Sequence, residues 1–305
     1  MADALNVSGL TNYVETHRDE LFIKATAGAR SLDMVEIMGD VKYKDALQYL
    51  DSSVVFADGS ACGFNPQGSD VFSERYIETK PIKVEKEWCH KDFEKKAANF
   101  ALRYEAGRET LPFEEKIAES NMNAIQEALE RVIWRGDATV GIDGWIKQAT
   151  GETLVTDVTF ASGSTTIAKV DAMVAAIPAK ALAKGVRIFM SETEFRNYVA
   201  EQNSSCCANR PIIDAAAESL KYVGDSRITL VPVAGLEVAS SADSAYMLAA
   251  TEDALVYGTD LEGSENRYDF WFNRDSETFR LRVLFRAGTA IKHPEEVVLG
   301  QNAGE

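Results

Sequence analysis

The chain has 305 residues, of which 46% are hydrophobic, and its 32 basic and 48 acidic side chains give a formal net charge of −16. A chain of this size buries a substantial core and is expected to form one large domain or two closely packed ones. The excess of negative charge argues against a surface that neutralises phosphates, so no specific nucleic-acid binding is predicted.

The cysteines and the hydrophobic runs bear on the compartment. Cys62, Cys89, Cys206 and Cys207 contain no CxxC pair and are too few for a disulfide framework in a chain of this length, which indicates a reducing environment. The opening residues, MADALNVSGL, lack the basic and apolar regions of a secretory signal, and no run approaches about 18 apolar residues. We therefore expect a soluble protein with no secretory signal and no membrane partner.

The first third of the chain predicts extended parts rather than a core. Residues 1 to about 40 contain short amphipathic pieces interrupted by Gly28 and Gly39, which indicates an arm. Strand-like runs at Ser53–Phe56 and Tyr76–Val84 flank a tip rich in glycine and proline. This pattern predicts a long projecting hairpin with little core of its own.

Two helices are predicted next. The first is marked by Phe93, Ala97, Phe100 and Tyr104, and it closes at Gly107. The second begins at Pro112, a residue suited to the first turn of a helix, and Gly136 stops it. Its predicted apolar stripe consists of Ile117, Ala124, Ile125, Ala128, Leu129, Val132 and Ile133. Such a long one-sided helix is typical of a strut lying across a sheet.

The middle of the chain, from about Gly141 to Val238, alternates helix and strand patterns, which indicates an α+β or α/β region. A capping box at Ser191–Glu194 opens one of the helices. The predicted helices are Ile167–Ile177 and Ile213–Leu220, and the predicted strands are Val186–Met190, Arg227–Val233 and Tyr246–Ala250.

The stretch from Tyr268 to Arg286 predicts a β-hairpin, because apolar and polar residues alternate on both sides of a polar turn. Pairing Asn273 with Thr278 satisfies both faces. The opposed pairs are then Phe272–Phe279, Phe270–Leu281 and Tyr268–Val283 on one face, and Asp269–Arg282, an ion pair, and Trp271–Arg280, a cation–π contact, on the other. In an acidic protein this arginine face indicates a contact with a second copy; the alternative is an ordinary solvated face.

A search for chemistry finds no constellation, and we predict no catalytic, cofactor-binding or metal-binding residues. Cys89 and His90 are adjacent, but adjacent side chains usually diverge. The histidines, His17, His90 and His293, are scattered, and the glycine run from Gly136 to Gly144 follows a helix and lacks the lysine of a phosphate loop. A hydrolase using Cys89 or an unplaced carboxylate pair is kept as an alternative of a different class.

Taken in order, these elements resemble the major capsid protein of tailed double-stranded DNA bacteriophages, the Hong Kong ninety-seven type fold shared with encapsulins. The resemblance spans nearly the whole chain and is especially to capsid proteins of crAss-like and related Bacteroidetes-infecting phages. Besides the arm and the two hairpins, it is carried by VIWRGD at 132–137, IP at 177–178, RIFMS at 187–191, VPVAGL at 231–236, AATE at 249–252, YGTDL at 257–261 and AGTAI at 287–291.

The resemblance implies an α+β fold with the named parts of that family. These are an N-arm at 1–38, an extended E-loop at 39–90, a spine-helix region of the peripheral P-domain at 91–139, an axial α/β A-domain at 140–245, P-domain strands and the hairpin at 246–290, and a tail at 291–305 that returns to the A-domain.

The resemblance also implies a use for the arginine face. In shells of this type the E-loop of one subunit lies over the P-domain of its neighbour. Arg280, Arg282 and Arg286 are therefore expected to receive Asp58, Asp70 or Glu74 from the next copy. A net negative charge suits a container whose inner wall must not bind packaged DNA tightly.

The implied function is a structural protein of the icosahedral head, located in the virion and assembled in the host cytoplasm. The implied partners are further copies in hexamers and pentamers, a portal protein and a decoration protein. Because family-like elements start almost at the first residue, a separate scaffolding protein is implied in place of a cleaved scaffolding segment. No crosslink is predicted, and an encapsulin-like nanocompartment is the nearest alternative.

Overall fold

The computed structural model describes residues 29–56, 68–89, 113–204, 219–237, 246–260 and 267–302. The strands of this part of the chain are β1 (Glu36–Met38), β2 (Lys44–Val54), β3 (Gly68–Glu78), β4 (Lys80–Cys89), β5 (Thr156–Phe160), β6 (Val186–Met190), β7 (Leu220–Tyr222), β8 (Asp225–Pro232), β9 (Met247–Ala250), β10 (Leu255–Thr259), β11 (Arg267–Asn273), β12 (Thr278–Ile291) and β13 (Val298–Asn302). Its α-helices are α1 (Phe113–Arg135), α2 (Trp145–Gly151), α3 (Thr166–Ala176), α4 (Ala179–Lys184) and α5 (Glu192–Ser204), with short 3-10 helices at Arg30–Met34, Ala234–Leu236 and Pro294–Glu296.

A five-stranded sheet is built around the long strand β12. Strands β11 and β10 pair with successive parts of one edge of β12, β4 pairs along its other edge, and β1 extends the sheet beyond β10. The register predicted for the β11–β12 hairpin is confirmed pair by pair, from Asn273 opposite Thr278 to Tyr268 opposite Val283. On its inner face the Phe270 and Phe279 rings stack with centroids 5.8 Å apart.

The long helix α1 packs its apolar face into the same core as the inner face of this sheet. It ends at Arg135 as predicted, and Gly136 follows with φ +81° and donates its N–H to Val132 O at 2.8 Å. The predicted stripe is wrong at Ala124 and Ala128, which are exposed. The buried apolar residues of the helix are Ala118, Met122, Ile125, Leu129, Ile133 and Trp134. Alanine fits either environment, so its periodicity does not show which row is buried.

A separate six-stranded mixed sheet has the strand order β5-β13-β9-β6-β8-β7. Strand β6 has the predicted bounds and is almost wholly buried, and the backbone N–H of Glu194 donates to Ser191 Oγ at 3.2 Å, which confirms the predicted helix cap. The tail contributes strand β13, which lies between β5 and β9. Strand β9 lies in the range 246–290 that the resemblance assigns to the P-domain strands. It pairs with β6 and β13 in this sheet.

Two other expectations fall partly or wholly outside the described residues. The predicted helix marked by Phe93 and Tyr104 lies wholly outside them. Most of the predicted helix Ile213–Leu220 does too, and Leu220 itself is in strand β7. The domain names that the resemblance implies stay predictions. No helix in the described part of the chain is long and apolar enough to span a membrane.

The predicted hairpin is present as a separate two-stranded sheet, but its outgoing strand is β2, Lys44–Val54, and not the predicted run Ser53–Phe56. Strands β2 and β3 pair without interruption from Lys44 opposite Glu78 to Val54 opposite Gly68. Its return strand was predicted to run through Val84, but the chain leaves the hairpin at Thr79, and β4 joins the five-stranded sheet instead. The alternation in β4 is therefore that of a sheet strand with one face on the core.

Candidate inter-subunit surfaces

One candidate surface is the outer face of strands β4, β12 and β11, which we call the arginine face. It carries Arg280 and Arg282 on β12. The register sets Arg280 opposite Glu87 and Arg282 opposite Glu85 on β4. In each pair the arginine Nε lies 3.0 Å from a glutamate Oε1, with both side chains substantially exposed. The arginines are therefore already paired within their own chain.

These pairs change the electrostatics of the face. The pKa of Glu85 lies below its usual value because Lys83 and then Arg282 bond the carboxylate. The pKa of Glu87 is lowered by a hydrogen bond from the Thr278 hydroxyl, 2.6 Å away, and by Arg280. Both glutamates therefore stay ionised to a lower pH than an ordinary glutamate, and the charge of the arginines is largely balanced locally.

One of the two contacts predicted across the β11–β12 pair has a different partner. Arg282 lies opposite Asp269, as the predicted register requires, and its Nε bonds Glu85 on the other side. The predicted cation–π contact was with Arg280, but it is Arg282 that lies over the Trp271 ring, 5.5 Å from its centroid. A hollow of about 400 Å³ opens between Trp271, the two arginines and their glutamates.

Arg286 lies on the same face of β12 as Arg280 and Arg282, but unlike them it is buried. It is only 6% exposed, and its guanidinium carbon lies 4.2 Å from the centroid of the Tyr43 ring, at the root of the projecting hairpin. The side chain is therefore covered by its own subunit. Its predicted role between subunits remains a prediction.

The second candidate surface is the outward face of the projecting hairpin, which we call the hairpin face. Asp70, Phe72, Glu74 and Tyr76 alternate along β3 and so share one side. Phe72 is 83% exposed and Tyr76 is 52% exposed, while Asp70 and Glu74 are exposed between them. The strand thus presents alternating apolar and acidic side chains, including two predicted contact residues. The third, Asp58, lies outside the described residues.

The opposite side of the hairpin is fixed to the body of the subunit. Leu47 and Ile77 are buried in a small cluster with Val256 and Ala290. The Tyr49 ring packs edge-on against His293, with centroids 5.2 Å apart. One side of the hairpin is therefore anchored to the subunit. The other side is open and can pack against another molecule.

Exposed apolar surface is concentrated on this element. Six of the nine exposed large hydrophobic side chains recorded in the described residues belong to the hairpin or its root: Tyr43, Val54, Val55, Phe56, Phe72 and Tyr76, against Ile37, Leu154 and Val223 elsewhere. A cluster of this kind marks an interaction site, whereas single exposed hydrophobics are normal.

The residues considered for chemistry do not come together in the described structure. Cys89 is a free, exposed thiol at the end of β4, and Cys62, Cys206, Cys207, His17 and His90 lie outside the described residues. Within the described part of the chain no three His, Cys, Asp or Glu side chains are placed to hold a metal ion. Gly144 packs so tightly that a Cβ there would lie 2.3 Å from Gly136 N, which confirms the glycine run as a helix stop and loop.

A buried carboxylate that the sequence analysis missed lies in α1. Glu130 is 5% exposed and accepts hydrogen bonds from the hydroxyl and the backbone N–H of Ser31 and from Trp134 Nε1, the last at 3.3 Å. Burial raises its pKa although these hydrogen bonds oppose the shift. The group ties the 3-10 helix Arg30–Met34 to α1, and its only sequence signal is a glutamate beside an apolar stripe.

Comparison with protein-family models and with curated protein sequences gives no match. Solved structures do match. A chain of the structure "Satellite phage P4 procapsid including size determination (Sid) protein" aligns over 99% of this chain and 98% of its own, at 11% identity and TM-score 0.62. The capsid of Myoviridae phage XM1 aligns over 90% and 92%, at 13% identity and TM-score 0.55. A virus-like particle from Pyrococcus furiosus aligns over 92% and 96%, at 8% identity and TM-score 0.52. The chain therefore has the α+β fold of phage and phage-like capsid proteins, as predicted.

Proposed function

We propose that this protein is the major capsid protein of a tailed double-stranded DNA phage, a structural protein that assembles into the icosahedral head. The observation that carries the proposal is the match of the whole chain, arm to tail, to a chain of a phage procapsid. The hairpin face supports the proposal independently, because exposed apolar side chains on one face are suited to packing on a neighbouring copy.

The two candidate surfaces are complementary in a specific way. The hairpin face offers Phe72 and Tyr76 between the acidic residues Asp70 and Glu74, while the arginine face offers Trp271 and a hollow beside Arg280 and Arg282. Apolar contact then supplies most of the affinity, as it does at the centre of protein interfaces. The charges fix the register and the rate of encounter, since the arginines already have partners in their own chain.

The same proposal covers the partners and the location. The shell is made of hexamers and pentamers of this chain, with a portal protein at one vertex, a separate scaffolding protein during assembly and room for a decoration protein outside. Assembly takes place in the host cytoplasm, and the product is the virion. The net charge of −16 limits adhesion of the packaged DNA to the wall.

The test is assembly with and without the tip of the hairpin. Deleting residues 58–70 removes most of the tip and the start of β3 but leaves the anchored Leu47 and Ile77 in place. We expect a folded subunit whose urea unfolding resembles that of the wild type. In sedimentation it should remain dispersed and form no shells. Closed particles of normal size from the deletion variant would show that the hairpin does not join subunits.

An encapsulin-like nanocompartment is the second candidate, supported by the match to the Pyrococcus furiosus virus-like particle over 92% of this chain. Particle size and contents separate the two. Large heads that contain DNA and a portal vertex support the phage capsid, whereas small closed shells that enclose a co-purifying enzyme support the nanocompartment.

A further inference from the structure

The root of the projecting hairpin crosses the five-stranded sheet over a pair of glycines. Gly258 of β10 and Gly288 of β12 are directly opposed in the sheet. The side chain of Ile77 lies over Gly258, and the backbone of Glu78 and Thr79 lies over Gly288. We call this crossing the glycine notch.

The two glycines have unequal roles in the notch. A Cβ on Gly288 would lie 2.1 Å from the carbonyl oxygen of Glu78 and 3.0 Å from Thr79 Cα, which are backbone atoms. A Cβ on Gly258 would lie 2.7 Å from Ile77 Cδ1, the far end of a flexible side chain. Neither glycine has a positive φ, so it is the close approach of another backbone that requires glycine at 288.

Thr79 ties the two legs of the hairpin together at the notch. It is the single residue between β3 and β4. Its N–H donates to Tyr43 O at 2.9 Å, and its hydroxyl donates to Val41 O at 3.0 Å. Val41 N–H in turn donates to Thr259 O at 3.1 Å, beside Gly258 on β10. The root is therefore bonded to the sheet and to itself at the point where the backbones cross.

A lateral contact holds the hairpin further along. Arg75 Nη2 lies 2.7 Å from Glu152 Oε2, with both side chains about a quarter exposed, and Arg75 Nη1 donates to Ile291 O at 3.3 Å. Glu152 follows α2, so this pair connects the hairpin to the body beside the notch. The glycine notch and the Arg75–Glu152 pair together constrain the distance of the hairpin from the sheet and the angle at which it leaves the subunit.

We infer that Gly288 is a positioning residue for assembly, which sets the direction in which the hairpin leaves the subunit, with the Arg75–Glu152 pair as its lateral support. The inference rests on the proposed function, since it assumes that the hairpin reaches a neighbouring copy. Each hairpin strand has 11 residues, and at about 3.4 Å per residue a tilt of about 10° at the root displaces the far end by roughly 6 Å. Phe72 is six residues from Glu78 at the root, so the same tilt displaces it by roughly 3.5 Å and takes it out of register with the hollow beside Trp271.

The test compares Gly288→Ala with Gly258→Ala in the full chain. Hydrogen exchange of the Thr79 and Val41 amides in the unassembled subunit reports on the root, and sedimentation with electron microscopy reports on shells and their diameter. We expect Gly288→Ala to accelerate exchange at both amides at least tenfold and to abolish shells of wild-type diameter. Gly258→Ala should change exchange less than threefold and assemble normally, because its Cβ would meet the end of the Ile77 side chain and not another backbone.

The two readouts separate the inference from the function on which it rests. Gly288→Ala particles of wild-type diameter, or unchanged exchange at Thr79, would overturn the inference and leave the shell proposal intact. Failure of the wild-type chain to form shells both alone and with a scaffolding protein would overturn the proposed function, while the exchange comparison would still report on the notch.

If Gly288→Ala does not fold, Arg75 provides the test. Arg75→Met keeps the aliphatic stem but loses both polar contacts, and Arg75→Lys retains the charge opposite Glu152. The inference predicts reduced assembly for Arg75→Met and recovery for Arg75→Lys. Equal assembly of both variants and the wild type would contradict it.

Discussion

Glu87 Oε1 lies 3.0 Å from Nε of Arg280 in the same chain, and Glu85 Oε1 lies at the same distance from Nε of Arg282. The arginine face of this acidic protein is thus neutralised by its own subunit before a second copy arrives. An acidic residue from a neighbour adds to, or competes with, an existing pair. The arginines are therefore expected to steer association more than to supply its affinity.

Replacing Arg280 and Arg282 together by glutamine should raise the protein concentration needed for assembly. The change removes the charges that meet the hairpin face and leaves Glu85 and Glu87 to repel its acidic residues. The penalty should shrink at high salt, where the charges of the wild type are already screened. Sedimentation across a concentration series at two salt concentrations measures both effects.

The control for this pair is Arg196→Gln with Arg227→Gln, which removes two exposed arginines that pair with Glu192 and Asp225 elsewhere on the subunit. It changes the net charge equally and should assemble like the wild type. Urea unfolding of the Arg280/Arg282 variant should change little, because Phe279, Leu281 and Val283 still form the buried face. If subunit stability and assembly were lost to the same extent, the arginines would act in the fold of the subunit and not between subunits.

Phe72→Ser should abolish or strongly weaken assembly without destabilising the subunit. The side chain is 83% exposed, so its removal should change the free energy of unfolding by less than about 0.5 kcal/mol. Leu154→Ser is the matched control, because Leu154 is 54% exposed but lies outside the hairpin. Light scattering of both variants checks the prediction, and normal shells from Phe72→Ser would remove the hairpin face from the interface.

Glu130→Ala should destabilise the subunit by about 1–3 kcal/mol, because it leaves the hydroxyl and the backbone N–H of Ser31 without their buried acceptor, while the indole N–H of Trp134 keeps Ser31 Oγ at 2.7 Å. Glu130→Gln retains an acceptor and should cost less. Urea unfolding of the three proteins measures these differences.

The pH dependence of Glu130 has a defined sign. Burial raises the pKa of Glu130, so the folded protein holds this proton more tightly than the unfolded chain. The resulting stabilisation is present below the ordinary glutamate pKa of about 4.3 and is lost as pH rises through the raised value. Relative to Glu130→Gln, the wild type should therefore lose stability as the pH rises from the ordinary glutamate pKa through the raised one. The opposite slope would show that the three hydrogen bonds outweigh burial.

Single alanine substitutions of Cys89, His90, Cys206 and Cys207 should each leave assembly intact. Cys89 is exposed at the end of β4 and is assigned no chemical role. Sedimentation of the four variants and metal analysis of the wild type test this. Loss of shells with the fold intact, together with stoichiometric bound metal, would contradict the assignment.

The sequence predicts local pairing well where both faces of an element carry a signal. The β11–β12 register follows from apolar residues on one face and charges on the other, and the structure confirms it. The strand Val186–Met190 is predicted to the residue because it is short, apolar and bounded by turn and capping residues. Alanines carry no such signal, which is why Ala124 and Ala128 were misplaced.

Long-range pairing is what the sequence does not reveal. Nothing in residues 80–89 shows that β4 lies along β12, and so the partners of Arg280 and Arg282 were sought on β11 instead of at Glu85 and Glu87. The glycine notch depends in the same way on a crossing between residues about 180 to 210 positions apart. The hairpin face was partly predictable, since Asp70 and Glu74 were singled out, but Phe72 and Tyr76 were recognised only once their exposure was known.

An electron-microscopy reconstruction of particles formed by the purified protein shows directly whether the hairpin face meets the arginine face. We expect closed icosahedral shells in which Phe72 of one copy lies at the Trp271 hollow of the next, with Asp70 and Glu74 near Arg280 and Arg282. Dispersed subunits at every concentration and scaffold condition tried, or shells in which the hairpin face is turned to solvent, would contradict this expectation.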